Sequence, residues 1–276
     1  MKLFDAHCHL QDPKILHMLP QIIRSALDRG VVHFAVNGVS EKDWQTVKKM
    51  SIEYPSVVPN FGLHPWFITD RSPHWLGTLK DHLEGTPEAA VGEIGLDKGS
   101  FGKKIDFSDQ VEVFRQQLHL AKDLKRPVSI HCVRAYGDLL DILKSVGPFP
   151  CGIVLHSFLG SAEMVPEFAK LGAYFSFSGF LMSLKENKAK KMIRSVPMDR
   201  ILLETDAPDG YPKMGNPEDA LVLVGEGKER LNHPGNISVI LDYVAALLDM
   251  SSDQLAEASF SNALKLFSFE GSKLMQ

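Results

Sequence analysis

Cysteine is scarce in this chain of 276 residues, which has only three, at positions 8, 132 and 151. An odd number of thiols in a long chain argues against a disulfide framework and indicates a reducing compartment. The sequence also lacks an apolar run near the roughly 18 residues of a membrane span. Its start, MKLFDAHCHLQD, has no apolar stretch before a cleavage site, so no secretory signal is expected. We expect a soluble protein of the cytoplasm, or also of the nucleus.

A strong excess of charge of either sign is missing as well. The chain has 30 Lys and Arg against 34 Asp and Glu, a formal net charge of -4, and a pI near 6.3. A general positive field that would attract nucleic acid is therefore excluded, and any phosphate-bearing ligand needs a local site. No GxGxxG follows the first apolar run and no GxSxG occurs, which removes the strongest signs of a dinucleotide fold and of a serine hydrolase.

Short apolar runs alternate with longer segments of helical spacing. Eight runs are predicted as strands: Leu3–Cys8, Val31–Val39, Val57–Leu63, Ala89–Leu96, Pro127–Val133, Gly152–Phe158, Ala173–Gly179 and Ile201–Thr205. Helices are predicted over Pro13–Arg29, Asp109–Lys125, Ile237–Leu248 and Ser252–Phe267. This alternation is typical of a parallel sheet covered by helices. Eight units without a break in composition favour an α/β fold, a (β/α)₈ TIM barrel forming a single domain of residues 1–276, over an open doubly wound sheet.

One stretch departs from this alternation. Ala207–Pro234 is dense in Pro, Gly and Asp and is predicted to be irregular. Loops of this length are usually functional or disordered, and the sequence leaves the role of this one open.

Ionisable residues fall near the carboxyl ends of the predicted strands. They are His7 and His9 on the first strand, His64 on the third, Glu93 on the fourth, His131 on the fifth, His156 on the sixth and Asp206 on the eighth. In a barrel all these ends open onto one face, where active sites lie. The sequence therefore predicts that residues far apart along the chain converge.

A lone histidine in a strand more often packs or forms hydrogen bonds than binds metal. Here the strand period of two places His7 and His9 on one side of the first strand and Cys8 on the other side. Cys8 is therefore expected to be a packing residue. Burying this whole set without a cation would cost several kcal/mol. We therefore predict one or two divalent metal ions, held by His7, His9, Glu93, His131, His156 and Asp206. If there are two ions, Glu93 is the expected bridge.

Five segments point to a known family. LFDAHCHL at 3–10, GLHP at 62–65, VGEIGLD at 91–97, RILLETDAP at 200–208 and NALKLF at 262–267 together resemble the TatD family of metal-dependent deoxyribonucleases, among the amidohydrolase-like barrels. The resemblance covers essentially the whole chain. Many relatives bridge their metals with a carbamylated lysine, whereas this pattern uses the glutamate of VGEIGLD. One departure is that GLDKGSFGKK lacks the aromatic residues that often follow GLD, which concerns the range of substrates.

The resemblance implies a role for each matching residue. His7, His9, Glu93 and Asp206 would hold one metal, and Glu93, His131 and His156 the second. His64 and Arg134, the latter in HCVRA, would contact substrate phosphate. Glu204, two residues before Asp206, would orient a water or a ligand as part of the catalytic set.

The expected reaction is hydrolysis of phosphodiester bonds in DNA by a metal-activated water, with Asp206 as the general base. The resemblance implies 3′→5′ exodeoxyribonuclease action on single-stranded ends, in DNA repair or DNA catabolism. Four imidazoles suit Zn²⁺ or Mn²⁺ better than Mg²⁺, but the family's use of Mg²⁺ leaves the metal open.

Two alternatives remain at this point. One is an amidohydrolase-type enzyme that acts on a small amide, lactone or ester, and the other is a non-catalytic scaffold that kept its metals. Trp66, just after GLHP, either stacks on a nucleobase or merely packs.

Overall fold

The computed structural model describes residues 1–213, 220–225 and 229–275. The strands of the main sheet are β1 Leu3–Cys8, β2 Val31–Asn37, β3 Val57–Phe61, β4 Ala90–Asp97, β5 Val128–Val133, β6 Ile153–Leu155, β7 Ala173–Phe177 and β8 Ile201–Leu203. The α-helices are α1 Pro13–Leu16, α2 Leu19–Asp28, α3 Trp44–Glu53, α4 Trp75–Glu84, α5 Phe107–Asp123, α6 Tyr136–Val146, α7 Val165–Lys170, α8 Glu186–Ile193, α9 Ile237–Leu248 and α10 Ser252–Phe267. No helix in the described part of the chain has the length and apolar character of a membrane span.

The chain divides into two compact units. The first comprises residues 1–36, 157–166 and 175–263. In it β1 pairs with β2 and β7 pairs with β8, both in parallel. The first and last strands also meet, because the amide of Asp206 donates to the carbonyl of His7 at 2.9 Å.

The second unit comprises residues 37–156, 167–174 and 264–276. Here β3, β4, β5 and β6 are parallel neighbours. Every residue of β4 is buried, as expected of a parallel strand covered on both faces. Helix α5 buries one stripe, which includes Val113, Phe114 and Leu118.

The strand order of the eight-stranded sheet is the chain order, β1 to β8. With β1 beside β8, this is the topology of a (β/α)₈ barrel, so the predicted fold class is confirmed. That residues 1–276 act as a single domain stays a prediction. Cys8 is buried in β1, in agreement with a packing role.

The observed elements differ from the predicted ones at their ends. The helix predicted over Pro13–Arg29 is two helices, since Pro20 lies in the first turn of α2, where its missing N–H costs nothing. β3 ends before Gly62, where a Cβ would lie 2.7 Å from the carbonyl oxygen of Glu93. His64 therefore follows its strand. His156 likewise follows β6, and His131 lies inside β5.

The segment Ala207–Pro234 is not wholly irregular. Two short antiparallel strands, β9 Leu223–Val224 and β10 Arg230–Leu231, pair within it. Residues 214–219 and 226–228 of the segment lie outside the described residues.

The end of this segment contains a buried histidine with a defined protonation state. The Nδ1 of His233 accepts the amide N–H of Gly235 at 2.8 Å, so its Nε2 carries the proton and donates to Ser25 Oγ at 2.7 Å. Burial, with the nearby charge of Arg29, lowers the pKa of His233 from 6.5 to about 4.

The pKa of His233 is lower in the folded protein than in the unfolded chain. The contribution of His233 to the free energy of unfolding is therefore fully present above pH 6.5 and is lost as the pH falls toward 4. We expect the free energy of unfolding to drop by about 2–3 kcal/mol more in the wild type than in His233→Gln between pH 7 and pH 4. Urea denaturation at several pH values measures this. His17→Gln, an exposed histidine of the same unit, is the matched control. An equal pH dependence in wild type and His233→Gln would contradict the assignment.

Candidate metal centre

Three polar side chains meet in the first unit where β1 lies beside β8. The His7 cluster consists of His7, His9 and Asp206. The Nε2 atoms of the two histidines are 3.2 Å apart, and Asp206 Oδ1 lies 3.7 Å from His7 Nε2 and 3.4 Å from His9 Nε2. His7 and Asp206 are buried and His9 is nearly so. Two ring nitrogens and a carboxylate oxygen thus point at one place.

Asp5 stabilises the backbone next to this cluster through hydrogen bonds with Thr205. Its carboxylate accepts the amide N–H of Thr205 at 2.9 Å and the hydroxyl of the same residue at 2.5 Å. Burial raises the pKa of Asp5 to about 8. Asp206 itself has a φ of 57°, which turns its side chain out of the strand direction. Asp5 therefore fixes the β1–β8 junction from which the His7 cluster projects.

A second group gathers in the second unit. The Glu93 cluster consists of Glu93, His64, His131 and His156. One oxygen, Glu93 Oε1, lies 2.9 Å from His131 Nδ1, 2.8 Å from His156 Nε2 and 3.4 Å from His64 Nε2. The two nearer nitrogens are 3.2 Å apart. All four side chains are buried.

Asp97, at the end of β4, determines the tautomer of His131. Its Oδ2 lies 3.1 Å from His131 Nε2, so Nε2 keeps its proton, and Nδ1, which faces Glu93, is the nitrogen that would lose a proton to bind a metal ion. Burial by itself would lower the pKa of His131, but the hydrogen bonds to Asp97 and Glu93 outweigh it and the pKa is raised. Burial would likewise raise the pKa of Asp97, yet hydrogen bonds from His131 and Trp66 lower it. A carboxylate behind an imidazole is the usual support of a metal-ligating histidine.

His64 is oriented in the opposite way. Its Nδ1 accepts the amide N–H of Trp66 at 3.1 Å, so its proton is on Nε2. An Nε2–H donates a hydrogen bond, which suits contact with a phosphate oxygen better than metal ligation. His64 could also complete a ligand set with Glu93 and His131 by distance alone. We favour the phosphate contact because of the tautomer.

Glu204, predicted as part of the catalytic set, is buried in the first unit. Its Oε1 accepts from the amide N–H and the hydroxyl of Ser157, at 2.7 and 2.5 Å, and its Oε2 accepts from the hydroxyl of Ser176. Ser157 has a φ of 42° and directly follows His156 in the chain. The carboxylate thus holds a strained residue next to a predicted ligand.

Arg134, the other predicted phosphate contact, lies on the turn after β5 with a φ of 55°. Its side chain is exposed, and it forms no hydrogen bond or ion pair within the described ranges. The guanidinium therefore faces solvent and can meet an anionic ligand.

The chemistry of the donors fits divalent metal ions. Each cluster combines imidazole nitrogens with a buried carboxylate, and the ligand atoms of His64, Glu93 and His131 all lie within 4.8 Å of one another. Such nitrogen-rich sets suit Zn²⁺ or Mn²⁺. Clusters that can hold metal are thus present, as predicted, while the identity and number of the ions stay predictions.

Comparison with known proteins identifies the family. Residues 4–268 match the family described as TatD related DNase. The match spans nearly all of the chain. This chain belongs to that family. The predictions of a TatD-family enzyme and of a metal-dependent hydrolase in the deoxyribonuclease class are confirmed.

Individual relatives of this TatD-family chain agree. It is 30% identical to the uncharacterized metal-dependent hydrolase YabD of Bacillus subtilis strain 168, over 96% of this chain and 98% of that protein. It is 28% identical to the 3′-5′ ssDNA/RNA exonuclease TatD of Erwinia billingiae, over 96% and 98%. The crystal structure of the TatD homologue YjjV of Escherichia coli K12 superposes with a TM-score of 0.84 at 28% identity, covering 97% of this chain and 98% of that one.

Sequence reasoning missed Asp97, Ser157 and Ser176 as parts of the centre. Asp97 ends the GLD of VGEIGLD, so a second carboxylate four residues after Glu93 was the available signal. The serines have no such signal, because a serine in or just after a strand gains a role only when Glu204 lies opposite it.

Asp97→Asn tests the support of His131. The amide keeps the shape but loses the charge that orders the imidazole, so affinity for a divalent metal or turnover should fall about 10- to 100-fold. Titration calorimetry with Mn²⁺ or Zn²⁺ measures the affinity. Asp138→Asn, which removes an exposed carboxylate of the same unit, is the control. Unchanged metal affinity and turnover in Asp97→Asn would refute the support role.

Proposed function

We propose that this chain hydrolyses phosphodiester bonds in DNA with two divalent metal ions, and that residues 1–276 work as one catalytic domain. The observation that carries the proposal is the convergence on Glu93 Oε1, where a buried carboxylate oxygen lies within 3.4 Å of three histidine nitrogens. Charge compensation by a cation is the simplest reason for such a cluster in an enzyme. The position that holds Glu93 would carry a carbamylated lysine in many amide hydrolases, so phosphodiesters are favoured over amides, lactones and esters.

The proposed ligands follow from the two clusters and the family. His7, His9, Glu93 and Asp206 would hold one ion, and Glu93, His131 and His156 the other. Support comes from the short distances inside each cluster. Mg²⁺ remains a candidate beside Mn²⁺ and Zn²⁺, although imidazole nitrogens favour the latter two.

When bound, divalent ions at such a site lower the pKa of water and offset negative charge on a phosphate. Residues of the chain take up the proton and contact the phosphate. Asp206 accepts a proton from the attacking water at its carboxylate. His64 donates its Nε2–H to a phosphate oxygen, and Arg134 adds a guanidinium contact. Glu204 acts on the catalytic set by holding Ser157.

Single-stranded DNA ends cleaved in the 3′→5′ direction are the proposed substrates, supported by the name of the Erwinia relative. The proposed setting is DNA repair or DNA catabolism in the cytoplasm, or also in the nucleus.

Asp206→Asn should fold and keep some metal but lose nearly all turnover. The amide cannot take up the proton, while its oxygen can still meet a cation. Release of nucleotides from an end-labelled oligonucleotide measures turnover, and circular dichroism checks the fold. Asp28→Asn, an exposed carboxylate of the same unit, should behave as wild type. Substantial activity in Asp206→Asn would remove Asp206 from the mechanism.

Metal analysis tests the stoichiometry. We expect about two equivalents of divalent metal per chain in the active enzyme, because the donors suffice for two ions that share a carboxylate. Dialysis against a chelator should abolish cleavage, and added Mn²⁺, Zn²⁺ or Mg²⁺ should restore it. Full activity at one equivalent would rule out the shared carboxylate, and full activity without metal would overturn the proposal.

A further inference from the structure

Two large aromatic side chains lie exposed beside each other in the second unit. Trp66 follows His64 in the short helix Pro65–Asp70, and Phe101 belongs to the loop after β4. Trp66 is 39% exposed and Phe101 is 60% exposed. Their ring centroids are 4.9 Å apart with the planes tilted by 37°. The pair thus leaves ring surface open to solvent, where a merely packed pair would bury it.

The pair is tied to the Glu93 cluster. The indole Nε1 of Trp66 donates to Asp97 Oδ2 at 2.5 Å, the same oxygen that lies next to His131. The Trp66 ring also meets His64 edge-on, with centroids 4.9 Å apart. Both contacts place the Trp66 ring directly beside the proposed phosphate contact, in a fixed orientation.

Positive charge lies on the same loop. Lys98, Lys103 and Lys104 line a cavity of about 460 Å³ together with Asp97 and Asp106, so three positive charges there face two carboxylates. Lys104 Nζ is 5.6 Å from the centroid of Phe101, whereas Lys98 pairs with Asp138 at 2.7 Å. Lys103 and Lys104 are exposed, and within the described ranges neither forms an ion pair. In a chain of net charge -4, these two lysines form a local attraction for an anion.

We propose that Trp66, Phe101, Lys103 and Lys104 form a binding site for single-stranded DNA, next to the catalytic centre. An unpaired base would stack on the exposed rings, and the phosphates that follow it would lie against the two lysines. Stacking on aromatic rings beside basic residues is how proteins hold single strands without reading sequence. A base pair inside a duplex cannot present its face in this way, because both of its faces are covered by neighbouring base pairs. The inference rests on the proposed function, because it names how that site would hold its substrate.

Phe101→Ala tests the stacking, since Phe101 touches neither metal cluster in the described part of the chain. The probe is a fluorescein-labelled phosphorothioate dodecathymidylate, which resists hydrolysis, bound to the metal-loaded full-length protein. We expect the Kd measured by fluorescence anisotropy to rise about tenfold. Ile52→Ala, an exposed apolar residue on α3, is the matched control. An unchanged Kd in Phe101→Ala would overturn the proposal.

The double variant Lys103→Gln/Lys104→Gln tests the phosphate contacts. The slope of log Kd against log[NaCl] for the same oligonucleotide should fall by about 1.4, because each phosphate contact on a single strand contributes about 0.7. Lys49→Gln/Lys80→Gln removes the same charge from other exposed positions of the unit and should leave the slope as in wild type. Equal slopes in the two double variants would overturn the lysine assignment.

A small phosphodiester separates this inference from the proposed function. Wild-type hydrolysis of bis(p-nitrophenyl) phosphate reports the catalytic centre without a strand to bind. If the wild type hydrolyses neither this compound nor DNA, the proposed function fails. If it hydrolyses both, the ratio of kcat/KM for the oligonucleotide to kcat/KM for the small diester should fall about tenfold in Phe101→Ala. An unchanged ratio would overturn the stacking site alone.

Discussion

Burial of the Glu93 carboxylate among imidazoles is the constraint on which the rest of the centre depends. Glu93 is 2% exposed. Its Oε1 lies 2.9 Å from Nδ1 of His131, in β5, and 2.8 Å from Nε2 of His156, just after β6. Removing a carboxylate from water is costly unless positive charge or hydrogen-bond donors replace the water. The imidazoles replace that water only in part, so the cluster suits a cation. The parallel strands supply the geometry by delivering their carboxyl ends side by side.

A layer of carboxylates behind the donors orients them. Asp97 holds the tautomer of His131, and Asp5 fastens the backbone between β1 and β8 through Thr205. Glu204 accepts a hydrogen bond from the amide of Ser157 and so stabilises its strained backbone. These groups are fully or almost fully buried, so water cannot substitute for them. The proposed ligands are therefore supported by buried acidic residues, and Asp97 determines which nitrogen of His131 faces Glu93.

Asp97 connects the Glu93 cluster with the proposed binding site for single-stranded DNA. Trp66 donates to Asp97 and at the same time contacts Phe101, so the exposed rings and the proposed metal ligands share one supporting residue. The Trp66 ring is therefore held in place relative to His131. A rigid platform costs little conformational entropy when a base stacks on it. Substrate affinity and metal affinity would then both depend on the conformation of residues 97–104.

The amino-acid sequence by itself determined the fold class and the family, and it supplied the residues proposed as metal ligands. Apolar runs that alternate with helical segments leave few topologies open, and HxH, GEIGLD and ETDAP carry their ligand atoms at strand ends in any barrel. Only the tertiary structure decided the orientation of the His131 ring and the pairing of Trp66 with Phe101. These depend on contacts between residues distant in the chain, and local periodicity contains no information about which side chain will lie opposite another.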